Sequence, residues 1–168
     1  NLTGSITLGF VPSMATNILP LIANHIRIKL PQINLIFKEY MSYEQVPALN
    51  AGNLDIGLTR LPKDLNAFIY SRVVSEPYYL AVNENNPLSK KNEISIYDLH
   101  GEDFIMYDAI IGKYSFELLS SLFVKSGVKP NFVQYVSQPS VFLGLVRASI
   151  GVALLASSSK ENLPENVI

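Results

Sequence analysis

The fold is decided by one segment, Leu49-Asn50-Ala51-Gly52-Asn53-Leu54-Asp55-Ile56-Gly57-Leu58. A helix is predicted to end at Ala51–Gly52, because glycine readily adopts the left-handed conformation that follows a last helical turn. A strand is predicted to follow at once, from Leu54 to Thr59. Asp55, at the start of this strand, is more typical of a structural residue than of a general base. A helix that passes so quickly into a strand is typical of an α/β fold.

The residues before this segment predict a repeating order of strands and helices. Strands are predicted at Ser5–Phe10 and Ile33–Tyr40. The helix between them is predicted to run to about Leu30, with Thr16 as its cap and Pro20 in its first turn. Ser42-Tyr43-Glu44-Gln45 predicts a capping box that opens the next helix, with serine and glutamine as the reciprocal pair. The short connections favour a parallel sheet with right-handed crossovers.

The second half of the chain predicts the same α/β pattern with a different spacing. Strands are predicted at Tyr70–Val74, Tyr78–Val82, Phe104–Tyr107, Asn131–Val136 and Gly151–Leu155, and helices at Ser115–Val124 and Ser140–Arg147. Two α/β lobes with a cleft between them, residues 1–74 and 75–168, fit this order better than one continuous sheet.

Composition excludes several classes of protein. The 168 residues are 48% hydrophobic and carry 13 basic against 14 acidic side chains, so the chain is not intrinsically disordered. No apolar run approaches the roughly 20 residues of a membrane span. The near-neutral charge gives no electrostatic reason to bind nucleic acid. The chain has no cysteine, so disulfides and thiolate metal sites are excluded. The charged fraction of 16% is low and predicts apolar surface that is covered by a partner or by missing chain.

The sequence offers no catalytic, metal-binding or cofactor-binding residues. His25 and His100 stand apart and are better interpreted as solvated side chains than as metal ligands. No serine lies in a nucleophile-elbow motif, and no glycine-rich phosphate loop is present. An enzyme is therefore disfavoured.

Polar residues after the first three predicted strands are candidates for binding a small anion. In an open α/β sheet, ligands bind beyond the carboxyl ends of parallel strands. Ser13 and Met14 follow the first strand, Ser42 follows the second, and Arg60 follows the third. Two hydroxyls and one guanidinium suit a carboxylate. Two interpretations stay open, since both serines could simply cap helices and Arg60 could be an ordinary surface residue.

The corresponding positions of the second lobe supply a further set of candidates. Tyr107 and Asp108 end a strand, Tyr114 follows them, and Pro139 leads into a helix. The aromatic side chain of Tyr114 could form the wall of a site for an aromatic or unsaturated ligand.

Several motifs resemble the effector-binding domain of LysR-type transcriptional regulators. They are Gly4–Phe10, Leu19–Ile22, Leu49–Leu58, Asn86–Leu88, Tyr97–Leu99, Phe104–Tyr107 and Leu145–Leu155, in the order of that family. The resemblance implies a two-lobed, type 2 periplasmic-binding-protein-like fold in a cytoplasmic bacterial regulator. A small metabolite, such as an aromatic acid or a dicarboxylate, would bind in the interlobe cleft and switch transcription.

The resemblance also implies partners and missing segments. The family's winged helix-turn-helix, linker helix, and final return strand and helix are expected to be absent, so DNA would be bound only through the absent N-terminal domain. Dimers or tetramers are expected through the first helix, around Ile18, Ile22 and Ile26. Ser13 and Ser42 match the positions of the family's ligand-facing hydroxyl residues. The sequence around Arg60 resembles that of the family's aromatic-catabolism branch. The alternative is a periplasmic substrate-binding protein of a transporter.

Overall fold

The computed structural model describes residues 2–60 and 68–168. The chain divides into two compact units, Asn1–Val73 and Val74–Ile168. The sequence predicts a loop at Pro62–Ala67, and these residues lie outside the described ranges.

The first unit is a parallel three-stranded sheet with two helices. Its elements are β1 (Gly4–Phe10), a 3₁₀ turn (Pro12–Met14), α1 (Ile18–Lys29), β2 (Ile33–Glu39), α2 (Ser42–Asn50) and β3 (Ile56–Leu58). The strand order is β2-β1-β3, and both pairings are parallel, as predicted. Gly52 has φ +72°, which confirms the predicted glycine just past the end of α2.

The prediction that Thr16 caps α1 is wrong, because the helix begins one residue later, after Asn17. Pro20 explains the shift. With Thr16 as the cap, Pro20 would be the fourth helical residue, whose N–H must bond the capping residue's carbonyl, and proline has no N–H. With Asn17 at that position, Pro20 is the third helical residue, where no intrahelical donor is needed.

The predicted capping box of α2 is also displaced by one residue. The helix begins at Ser42 after Met41, and Glu44 supplies the reciprocal contact, with its Oε2 accepting from Met41 N–H at 2.8 Å. Gln45 therefore does not cap the helix but points into the interior. Asp55 has the predicted structural role, since its Oδ2 accepts from Thr7 N–H at 2.7 Å.

The second unit contains a parallel strand pair, an antiparallel strand pair and two helices. Its elements are β4 (Tyr78–Ala81), β5 (Asp103–Tyr107), α3 (Lys113–Ser126), β6 (Asn131–Val136), α4 (Pro139–Arg147) and β7 (Ala153–Ala156). β5 pairs with β6 in parallel, and β4 pairs with β7 in antiparallel fashion. The strand predicted at Tyr70–Val74 is not formed, because aromatic and β-branched residues make a strand only beside a hydrogen-bonded neighbour.

Each unit has its own hydrophobic core. In the first unit, Leu8, Leu19 and Leu58 are buried between the sheet and α1. The larger core of the second unit is centred on Phe104, Phe142 and other apolar side chains of β5, α3 and α4. Within the described ranges, no helix is long and apolar enough to cross a membrane.

The packing of α1 divides its apolar residues into partly buried and exposed ones. Ile18 and Ile22 pack against the core of the first unit, and Ile26 is partly buried. A helix on a sheet buries its i, i+4 apolar stripe, so this stripe faces inward. The exposed apolar residues of α1 are Leu21 and Ile28, seven residues apart and hence on one face.

Candidate functional site

The carboxyl ends of β1, β2 and β3 lie at one edge of the sheet in the first unit. The parallel register places Phe10 opposite Glu39 on one side and Leu58 on the other. The chain then continues into the Pro12–Met14 turn, the first turn of α2 and the Thr59–Arg60 pair. Three segments distant in sequence therefore meet at this edge, as the strand-end rule for open α/β sheets predicts.

Arg60 joins the two serines that the sequence singled out. Its Nη2 donates to Ser13 Oγ at 3.3 Å, and its backbone N–H donates to Ser42 Oγ at 3.3 Å. Among the described contacts, neither serine caps a helix with its side chain: Val11 and Met41 occupy the capping positions. The structure thus brings together three of the predicted residues, and the capping interpretation of both serines is wrong.

The hydrogen bonds leave both hydroxyls able to donate. A serine hydroxyl has one O–H donor and two acceptor lone pairs. Because Ser13 Oγ and Ser42 Oγ each accept a bond from Arg60, their own O–H protons remain for another acceptor. Ser42 is also the first residue of α2, whose free N–H groups and dipole favour negative charge. The arrangement combines a positive charge with oriented donors, which suits an anion such as a carboxylate.

Met14 and Thr59 flank this group. Met14 packs against the core of the first unit, so at least part of its predicted role is structural. Thr59 Oγ1 donates to the carbonyl O of Arg60 at 3.1 Å. This hydrogen bond helps to fix the backbone of Arg60.

Gln45 is the residue that the sequence interpretation missed. It is fully buried, and its Nε2 bonds to the ends of both outer strands. The capping-box pattern assigned Gln45 to the start of α2, so its burial was not predicted. The available signal was its spacing of three and four residues from Ala48 and Leu49, which puts all three side chains on one face of a helix.

The predicted residues of the second unit make mainly structural contacts. Tyr107 is buried, and its ring packs against Phe142 with centroids 4.6 Å apart. Asp108 Oδ1 accepts from the N–H groups of Ile110 at 2.9 Å and Ile111 at 2.8 Å. Pro139 is the first residue of α4, a position where its missing N–H is not needed. Tyr114 lies in the first turn of α3 and is partly exposed.

The charge of Asp108 is maintained by its turn. Hydrogen bonds from the backbone N–H groups of Ile111 and Ile110 hold the pKa of the Asp108 carboxyl below its ordinary value. The side chain is therefore ionised near neutral pH. A negative charge disfavours direct contact with a ligand carboxylate, so Asp108 is better suited to a hydroxyl or an amine.

The described residues offer no metal centre. Residues 2–60 and 68–168 contain no group of three histidine, aspartate or glutamate side chains that could hold a metal ion. What the site at the sheet edge can do chemically is bind an anion.

Comparisons with known proteins identify the relatives of this chain. A family model described as LysR substrate binding domain matches residues 1–167. The HTH-type transcriptional regulator AlsR of Bacillus subtilis is 32% identical over 162 residues, which cover 94% of this chain and 52% of AlsR. The chain spans about half the length of the curated relatives it matches.

Two solved effector-binding domains have the same fold. That of BenM with its effector benzoate has a TM-score of 0.87 at 26% identity, covering 97% of this chain and 74% of the BenM chain. That of QuiR in complex with shikimate has a TM-score of 0.85 at 21% identity, covering 99% and 84%, and this likeness concerns the fold alone. The predicted class, a type 2 periplasmic-binding-protein-like α/β fold, is confirmed.

Proposed function

The chain belongs to the LysR substrate binding domain family, and from this we propose that it is the ligand-sensing part of a transcriptional regulator. Its ligand would be a small metabolite that carries a carboxylate, bound at the sheet edge of the first unit by Ser13, Ser42 and Arg60. A bound ligand shifts a conformational equilibrium only by its differential affinity for the two states. The sensing function therefore requires that the acid binds one state of the regulator better than the other.

The single observation that carries this proposal is the pair of bonds from Arg60 to the two serines. They place one guanidinium and two donating hydroxyls at the carboxyl ends of three strands. A carboxylate there would take charge-assisted hydrogen bonds, which are about twice as strong as neutral ones. The likeness to the BenM domain with benzoate supports an aromatic acid as the first ligand class to test.

Curated relatives are named as HTH-type transcriptional regulators, which favours a regulator over the alternative of a transporter's periplasmic binding protein. We propose that the whole protein is cytoplasmic and binds DNA through a helix-turn-helix domain. The sheet edge combines hydroxyl donors with a cation, which supports a binding function.

In the second unit, taken by itself, we propose Tyr107, Asp108, Tyr114 and Pro139 as ligand-binding residues. Tyr114 is the most exposed of them, so its side chain is the most accessible to a bound molecule. Tyr107, Asp108 and Pro139 would contribute through the segments that they hold, and Met14 of the first unit through the turn that it shares with Ser13.

The first test is a thermal-shift screen of aromatic acids, dicarboxylates and amino acids, followed by calorimetry with each compound that stabilises the chain. Ligands that bind the native state raise the melting temperature by mass action. Ser13→Ala and Ser42→Ala are each expected to weaken binding of the acid by about 1–3 kcal/mol, because each removes a donor to a charged group.

Ser5→Ala is the matched control, since Ser5 lies near the start of β1, away from the carboxyl ends of the strands. It is expected to leave affinity for the acid unchanged. Unchanged affinity in both Ser13→Ala and Ser42→Ala would sink the proposed site.

We further propose that copies of the chain associate through α1, around the partly buried Ile18, Ile22 and Ile26 and the exposed Leu21 and Ile28. Leu21 is 68% exposed, and apolar side chains of this kind favour burial against a second copy. Leu21→Glu is expected to raise the dimer dissociation constant at least about tenfold, because it places a charge in an apolar interface. Sedimentation velocity over a concentration series measures the change.

Leu2→Glu is the control, since Leu2 is 72% exposed but lies outside α1. It should leave the dissociation constant as in the parent chain. Equal weakening by both variants, or a parent chain that stays monomeric at every concentration, would contradict association through α1.

A further inference from the structure

The side-chain amide of Gln45 is fully buried beneath α2. Its Nε2 donates two hydrogen bonds, one to the carbonyl O of Tyr40 at 3.0 Å and one to the carbonyl O of Leu58 at 3.0 Å. Because a carbonyl can only accept, these two partners fix which end of the amide faces them. The NH₂ group has thus found an acceptor for both of its protons.

The two carbonyls belong to strand ends that are not neighbours in the sheet. Tyr40 follows β2 and Leu58 ends β3, and the strand order β2-β1-β3 puts β1 between them. The hydrogen bonds of the sheet join each outer strand to β1, but they do not join the outer strands to each other. Gln45 makes that connection with one amide group.

Each bonded carbonyl lies two residues before a residue of the proposed acid site. Tyr40 precedes Ser42, and Leu58 precedes Arg60. The bond from Arg60 N–H to Ser42 Oγ then closes the same junction from the other side. The distance between these two ligand-binding residues therefore depends on the amide beneath them.

Gly57 makes room for this amide. A Cβ added at Gly57 would lie 2.7 Å from Gln45 Oε1 and 3.4 Å from Leu49 Cδ1. Among residues 2–60 and 68–168, Oε1 has no hydrogen-bond partner. Packing against Gly57 thus holds one end of the amide, and the two carbonyls hold the other.

We infer that Gln45 is a positioning residue of the acid site, which ties the ends of β2 and β3 together so that Ser42 and Arg60 keep the spacing that one anion needs. It acts through these two residues and does not touch the ligand. The geometric part of the inference rests on the contacts above, and the ligand part rests on the proposed function.

The test uses Gln45→Met in the full 168-residue chain, because methionine keeps the length of the side chain and removes both donors. Amide hydrogen exchange followed by NMR reports on each strand junction separately. Exchange of the Arg60 N–H is expected to accelerate about tenfold, the factor that corresponds to loss of one net hydrogen bond. Exchange of the Asp55 N–H, which bonds Thr7 O between β3 and β1, should not change. The dissociation constant of benzoate should rise by a similar factor.

Leu49→Ala is the matched control, since it removes packing of the same helix against the same strand but leaves the amide in place. It is expected to accelerate exchange at Arg60 and Asp55 alike. The same uniform acceleration in Gln45→Met would show a merely structural residue and overturn the inference. Unchanged benzoate affinity, in a parent chain that binds benzoate, would overturn it as well.

Gly57→Ala provides a second route should Gln45→Met not fold, because it displaces the amide without removing it. Selective acceleration of exchange at Arg60 supports the inference. Absence of any acceleration at Arg60 contradicts it. If the parent chain binds no acid of the panel while Arg60 responds selectively, the proposed function fails, and only the geometric part of the inference stands: Gln45 ties the ends of β2 and β3 together.

Discussion

Arg60→Met is expected to weaken the binding of benzoate, or of the acid that the screen selects, by about 10- to 150-fold. The estimate follows from the roughly 1.5–3 kcal/mol that a hydrogen bond to a charged group contributes. Methionine preserves most of the apolar stem but removes the charge and the Nη2–H that bonds Ser13 Oγ. Isothermal titration calorimetry measures the loss directly.

The control for Arg60→Met is a second ligand without charge. Benzamide has the shape of benzoate without its charge, so its weak binding should be almost the same in the parent chain and in the variant. Equal losses for both ligands would argue that Arg60 supports the site by packing and carries no charge role. The conservative variant Arg60→Lys should recover part of the affinity, because it restores the charge but not the fork of donors.

Phe104→Ala is expected to destabilise the second unit by about 3–5 kcal/mol. Phe104 is fully buried, and its ring makes edge-to-face contacts with Phe123 at 5.2 Å and Phe132 at 6.0 Å between centroids. Removal of the ring leaves a cavity in the middle of this aromatic group, and the neighbouring strands can close it only in part. Urea unfolding followed by circular dichroism gives the free energy.

Phe132→Ala is the matched control in the same aromatic group. Phe132 also contacts Phe104, but it is 40% exposed. Its removal should cost about 1–2 kcal/mol, because a good part of the ring is already in contact with water. Similar losses in both variants would contradict a core centred on Phe104.

Most of the fold could be predicted because short-range patterns agree with the final structure. The alternating residues of β1 form a strand, and Gly52 takes the left-handed conformation just past α2. Helix boundaries were harder, since a shift of one residue at Pro20 decides the start of α1. The strand predicted at Tyr70–Val74 failed because its partner, rather than its own sequence, decides whether a strand forms.

The site could be predicted in part because of topology. Ser13, Ser42 and Arg60 are 18 to 47 residues apart, yet the carboxyl ends of parallel strands bring them together. Gln45 could not be assigned in this way, because its role depends on which face of α2 is buried. The partner of α1 could not be assigned either, since the periodicity of Ile18 and Ile22 marks an apolar stripe without saying what covers it.

The central claim is that a carboxylate binds where Arg60 meets Ser13 and Ser42, and an NMR titration of the chain with benzoate tests it most directly. Backbone amide shifts report each contact in the same experiment. The largest changes are expected at Ser13, Ser42 and Arg60, they should saturate together, and benzamide should not reproduce them. Changes confined to other residues, or no saturable change with any acid of the panel, would contradict the claim.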